Sequence, residues 1–150
     1  MSQSLSNIVV HIIFSTKNRQ RFMGVDIQPR VHAYLATVCR DQGCHAYCVG
    51  GTHDHVHIAT SLSRTLAVSK LVEKLKVSSS LWVKKQSESY REFHWQKGYG
   101  IFSVSPSNLD KLTAYIGNQV EHHKRLSFQD EYRRFLNEYE IQYDEAYVWD

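Results

Sequence analysis

Long apolar runs are missing from this chain. Nothing approaches the roughly 20 residues of a membrane-spanning helix, and the N-terminus is too polar for a secretory signal. A cytoplasmic protein is expected. Proline is scarce, with two in 150 residues. No domain linker, internal repeat or low-complexity stretch interrupts the chain, so residues 1–150 are expected to form one domain with a sizeable core. Cysteine is sparse and odd in number: Cys39, Cys44 and Cys48. That argues against a disulfide framework and favours reduced packing thiols. Cys44 and Cys48 would diverge along one strand too far to chelate zinc comfortably. No glycine-rich loop of the phosphate-cradling kind is present.

An excess of one charge is also lacking, since the net charge is only +3. Its distribution is uneven. Residues 64–97 hold eight Lys or Arg against three Glu, a net of +5, and 127–150 hold two Arg against seven acids, a net of −5. The middle of the chain could attract phosphates and the tail should repel them, unless both are simply solvated helix faces.

What is present is clear periodicity. Residues 8–14 form a nearly continuous, β-branched apolar run, the pattern of a central strand covered on both faces. Ile27, Val31, Tyr34, Leu35 and Val38 recur at helical spacing, opened by Asp26 and Pro29 and closed by Gly43. A strand over 44–49 turns through Gly50-Gly51-Thr52 into a strand from His53 to about Ser61. Leu66 to Lys85 reads as an amphipathic helix with Val68, Leu71, Val72, Leu75 and Trp82 inward. A fourth strand runs from Ile101 to Ser105. Ser107 and Asp110 look like a capping box for a helix from Asn108 to about Arg125, with core stripe Leu109, Leu112, Ile116 and Val120. A last helix, about Phe128 to Tyr139, precedes an acidic, tyrosine-rich tail that should pack on the domain or on a partner. The order β-α-β-β-α-β suggests an α+β fold, an antiparallel sheet with helices packed on one face.

Two short stretches carry chemistry. In a strand, His55 and His57 share one face while Val56 and Ile58 take the other, and two imidazoles so placed can hold one metal ion. In a helix, Tyr115 and Gln119 are one turn apart on the same side. A tyrosine hydroxyl beside a metal-bound phosphate is a potential nucleophile, and Gln119 can add a carbonyl oxygen to the metal. Taken singly, each has a plainer explanation: a strand histidine is usually structural, and a tyrosine beside an apolar stripe usually packs.

These residues resemble the single-tyrosine HUH transposases of bacterial and archaeal insertion sequences, a family that includes the REP-associated tyrosine transposases. His55-Val56-His57 matches the His-hydrophobic-His motif, and Tyr115 with Gln119 matches the second. Further similarity lies in Trp95-Gln96-Lys97-Gly98-Tyr99-Gly100 and in Asn118 to His123. The resemblance implies a ferredoxin-like fold. It also implies cleavage and rejoining of single-stranded DNA at hairpin-containing ends through a covalent 5′-phosphotyrosine, and a homodimer. Tyr115 would be the nucleophile; His55, His57 and Gln119 would hold Mg2+ or Mn2+, the mixed N/O set suiting Mn2+ better. His53 and His122 would support the site from outside, or be bland surface. His11 would be a satisfied residue of the core or of the active face.

Lys17, Arg19, Lys70, Lys74, Lys84, Lys85 and Lys97 are candidate contacts to the DNA backbone. Trp95 and Tyr99 could stack unpaired bases or plug a loop, whereas Trp82 reads as core. Two rival readings remain: a non-catalytic or domesticated hairpin-binding protein of the same fold, and a zinc hydrolase using His53, His55 and His57. The hydrolase is disfavoured because three alternating imidazoles span a long stretch of strand and no Glu base sits nearby in sequence.

Overall fold

The computed structural model describes residues 2–150. Its centre is β1 (Val9–Ser15), every residue of which is buried. With β2 (Ala46–Gly51), β3 (His55–Ser61) and β4 (Gly100–Val104) it forms one antiparallel sheet in the order β2-β3-β1-β4. Strand alternation divides the sheet chemically. Val10, Ile12 and Phe14 of β1 and Val56 and Ile58 of β3 form one apolar face. They pack with Val31 and Leu35 of α1 (Gln28–Asp41) and Leu71, Leu75 and Val83 of α2 (Val68–Lys84). This is the expected ferredoxin-like unit, with both helices on one face. Pro29 lies in the first turn of α1, where its missing N–H leaves no bond unmade, but Ile27 and not Asp26 holds the capping position. Gly43, at φ +78°, ends the helix in the left-handed region that glycine enters freely.

The C-terminal third adds a second layer on the opposite face. The helix expected from Asn108 to Arg125 is broken into α3 (Leu109–Gly117) and α4 (Gln119–His122). Gly117 and Asn118 are poor helix formers, and the Asn118 N–H reaches back only to the Tyr115 carbonyl. The proposed capping box does not form: a 3-10 turn, Pro106–Asn108, precedes α3, and the Ser107 hydroxyl pairs with Ser105. Val120, assigned to the core stripe, is exposed, while Ile116 is buried. Ile116 lies directly on Gly50 of β2: a Cβ at residue 50 would sit 2.6 Å from the Ile116 carbonyl oxygen. Only glycine permits that approach, which draws α3 down onto the hairpin. The last helix, α5 (Phe128–Glu138), is capped by the Ser127 hydroxyl and packs Phe128, Tyr132 and Leu136 against Ile13 and Phe102.

The tail folds back on the domain. The Tyr139 hydroxyl donates to the Ser103 carbonyl at 2.7 Å. The Trp149 ring lies between the guanidinium groups of Arg19 and Arg133, at 5.6 and 5.0 Å. No helix of the described residues is long and apolar enough to cross a membrane.

Candidate active site

The site lies on the second face of the sheet, and the hairpin is held so as to build it. The turn between β2 and β3 covers residues 52–54, and its backbone is gripped from outside. Thr16 N–H donates to the Asp54 carbonyl at 2.7 Å and Met23 N–H to the His53 carbonyl at 3.0 Å. β3 therefore starts at His55, not His53. His53 sits in the turn, half-buried and away from the imidazole cluster, so the three-histidine strand of the hydrolase reading does not exist.

His55 and His57 are both fully buried on the same face, ring centroids 5.2 Å apart. The two short helices bring the second motif to them. Gln119 Oε1 lies 2.9 Å from His55 Nε2, and the Tyr115 ring stands edge-on to His57 at 5.8 Å. All four groups thus meet within one chain. Tyr115 is half-buried and lines an open cleft of about 640 Å³ with Lys111, Arg134, Phe135 and Tyr139. Its hydroxyl is 3.2 Å from His122 Nε2, which places His122 beside the phenol.

Two further groups join the cluster without having been singled out by the sequence. Glu131, from the acidic stretch expected to keep away from phosphates, is 1% exposed. Its Oε1 is 2.9 Å from His57 Nε2 and 3.2 Å from His123 Nε2. Its Oε2 accepts from the Gln119 amide at 3.2 Å and from the Tyr115 hydroxyl. A Glu does sit beside the histidines, then, although 74 positions separate it from His57. The cue was available: Glu131 falls on the buried stripe Phe128, Tyr132 and Leu136, where an unpaired acid would be costly. His123 is the second addition, and His11 extends the network with Nε2 2.8 Å from His57 Nδ1.

Burial sets the electrostatics. Desolvation pushes the His57 pKa down to about 4 despite the neighbouring Glu131, so its imidazole is neutral at pH 7. Desolvation, with the proximity of His57, also lowers His11. For Glu131, burial alone would raise the pKa, but its contacts with His123 and His57 outweigh burial and keep it an ionised carboxylate. Tyr115 is pushed well above its ordinary range, first by burial and then by the charge and hydrogen bond of Glu131. As held here, the phenol keeps its proton.

The remaining candidates fall elsewhere. Lys70, Lys74 and Lys84 belong to α2 and Lys85 caps it, across the sheet from the histidines and outside the cleft that Tyr115 lines. Trp95 is buried, edge-on to Phe14 and Phe93, with Nε1 donating to Ser79 Oγ at 2.9 Å. It is a core plug, not a stacking platform. Tyr99 packs on the same core under the Lys76 ammonium, which donates to the Gln96 and Lys97 carbonyls. Lys17 and Lys97 are exposed and share a cavity of about 410 Å³ with Trp149, and Arg19 is half-buried against that ring.

The donor set fits a divalent ion. One ligand atom each from His55, His57, His123 and Glu131 lies within 4.8 Å of all the others. His123 Nε2 is buried with no hydrogen-bond partner. Buried polar atoms without a partner are rare in folded proteins, and this one lies among groups able to ligate a metal.

A family model described as IS200-like transposases matches residues 4–119. The chain belongs to that family. The IS200 transposases of Salmonella typhimurium strain LT2 and Salmonella typhi are each 27% identical over 124 residues, spanning 79% of this chain and 80% of theirs. Among solved structures, a transposase candidate from Deinococcus radiodurans R1 superposes with a TM-score of 0.62 at 18% identity, covering 79% of this chain and 98% of its own. A REP-associated tyrosine transposase bound to a REP hairpin gives 0.59 at 13% identity, covering 82% and 74%. At those identities the two structures bear on the fold, which they share. The family match ends at Gln119, so His122, His123 and Glu131 lie beyond it.

Proposed function

We propose that this IS200-like transposase cleaves and rejoins single-stranded DNA at hairpin-containing ends, with Tyr115 as nucleophile. The observation that carries the proposal is the convergence of the two motifs within one chain: the Tyr115 ring stands against His57, Gln119 reaches His55, and Glu131 joins the Tyr115 hydroxyl to both Gln119 and His57. The hairpin-bound state of the REP-associated neighbour supports the substrate class.

The chemistry is two transesterifications. The Tyr115 oxygen attacks the scissile phosphorus, the bond to the 3′ oxygen breaks, and that oxygen leaves as a 3′-hydroxyl after taking up a proton. The 5′-phosphate stays esterified to Tyr115, which conserves the bond energy for rejoining. An incoming 3′-hydroxyl then attacks the phosphotyrosine and releases the phenol. His55, His57 and Gln119 would hold a divalent ion, Mg2+ or Mn2+, which would polarise the phosphate and offset charge on its oxygens. Phe135, edge-on to Tyr115, holds the phenol ring against the site. His122 is placed to donate to a phosphate oxygen or to the phenol. Phosphates approaching Tyr115 meet Lys111 and Arg134 in its own cleft, and Lys124 and Arg125 in an adjoining one of about 510 Å³ that Arg134 also lines.

The test is a labelled hairpin oligonucleotide with a single-stranded flank, incubated with Mn2+. A denaturant-resistant protein–DNA adduct is expected with the wild type and not with Tyr115→Phe. Tight binding with no adduct from either would favour the non-catalytic hairpin binder. The bond from Tyr115 to Glu131, which holds the proton on the phenol, is the one feature that favours that second reading.

Dimerisation is a separate part of the proposal. The side chains of both motifs meet within one chain, and a homodimer would hold two such sites and two DNA ends. Sedimentation equilibrium with and without hairpin DNA measures it.

A further inference from the structure

We infer that Glu131 and His123 are themselves ligands of the divalent ion, so that the C-terminal helices complete a centre that the two family motifs only begin. The inference rests on the metal reading above and extends its donor set to three imidazoles, one amide oxygen and one carboxylate.

Three observations support it. The first is convergence. The Oε1 atom of Glu131 lies 2.9 Å from His57 Nε2, 3.2 Å from His123 Nε2 and 3.7 Å from His55 Nε2. Donors bound at about 2.1 Å to one ion lie roughly 3 to 3.5 Å from their neighbours, close to the separations of Glu131 Oε1 from the three imidazoles, and all four ligand atoms lie within 4.8 Å of one another.

The second is the outer hydrogen bonding of all three rings. His55 Nδ1 is held by Asp54 Oδ1 at 2.7 Å and Thr52 Oγ1 at 3.1 Å. His57 Nδ1 is held by His11 Nε2 at 2.8 Å, and His123 Nδ1 donates to the Leu126 carbonyl at 2.7 Å. Each imidazole is thus anchored through its far nitrogen, leaving Nε2 to face the centre. That is how protein metal sites fix ring orientation and tautomer.

The third is the orphan nitrogen. His123 Nε2 is buried without a well-aimed hydrogen bond although Glu131 Oε1 lies 3.2 Å away, and an ion seated between the two would satisfy both.

The consequence is selectivity. With three imidazole nitrogens in the set, Mn2+ should bind more tightly than Mg2+, which prefers oxygen donors and gives up water reluctantly. Bound to the ion, Glu131 would also no longer present a bare carboxylate to Tyr115.

The test is direct metal binding by chelator-treated protein, followed through the electron paramagnetic resonance signal of free Mn2+, with no DNA present. The wild type should bind one Mn2+ per chain. Glu131→Gln and His123→Gln, each checked for native circular dichroism, should bind at least about tenfold more weakly. Either variant, folded and binding Mn2+ like the wild type, overturns the inference. Should one variant fail to fold, the other still decides. If the wild type itself binds no Mn2+, the metal reading of the motifs falls as well, which separates the two failures.

Discussion

The two faces of β3 make the central comparison. Val56 and Ile58 point into an apolar core shared by α1 and α2, while His55 and His57, one residue out of phase, point into a polar cluster roofed by α3, α4 and α5. All four side chains are fully buried. On one face burial is the source of stability, since removing apolar surface from water is the main favourable term in folding. On the other face burial opposes it, because imidazoles and a carboxylate lose hydration and must recover the loss from one another. A strand of seven residues therefore divides its work by parity, with the apolar face rigid so that the polar face can be positioned.

The comparison can be broken most sharply at Tyr115. Replacing it with Phe should abolish adduct formation by at least a thousandfold while leaving thermal stability within a few degrees, read by gel assay and differential scanning calorimetry. On the apolar face, Ile58→Ala should cost about 2 to 5 kcal/mol in urea denaturation, as large-to-small changes in packed cores do. Gly50→Ala tests the joint between the layers. A new Cβ against the Ile116 carbonyl should push α3 away, lowering adduct yield more than it lowers the urea midpoint.

Acidification should loosen the polar face first. His57 and His11 have folded pKa values below the ordinary 6.5, so the unfolded chain takes up their protons first as pH falls. The share from His57 is complete above about pH 6.5 and is lost toward pH 4, and His11 adds a loss of the same sign. Glu131, also depressed, adds a loss of the same sign as pH falls through the ordinary carboxylate range near 4.3. His123, raised by Glu131 against the effect of burial, works the other way and blunts the trend. A urea midpoint that declines steadily from pH 7 to pH 4.5 is expected; a flat profile would contradict this balance. The smallest effect belongs to α2. The combined substitution of Lys70, Lys74 and Lys85 by Ala should leave cleavage rates within about twofold, whereas Arg134→Ala should weaken DNA binding and flatten its salt dependence.

Legibility in the sequence followed the range of the interaction. Strand alternation and helical periodicity are local, so the β-α-β-β-α-β order, the shared face of His55 and His57, and the pairing of Tyr115 with Gln119 could all be read from spacing. The last survived even though Asn118 interrupts the helix, because α4 resumes at once with Gln119 turned inward. Glu131 and His123 were invisible for the opposite reason. His123 reaches β3 from the C-terminal cap of α4 and Glu131 through the tertiary placement of α5, and charge counting set Glu131 among solvated acids. Spacing left Trp95 open between a base-stacking platform and a plug, and only the tertiary placement of Ser79 on α2, which offers a buried hydroxyl to its indole N–H, decides for the plug.

The most direct measurement is mass spectrometric mapping of the protein after reaction with a hairpin oligonucleotide and Mn2+. A nucleotide joined through its 5′ phosphate to the peptide carrying Tyr115 is expected, with the released strand ending in a 3′-hydroxyl. Cleaved DNA bearing a free 5′ phosphate, with every tyrosine unmodified throughout the time course, would contradict it.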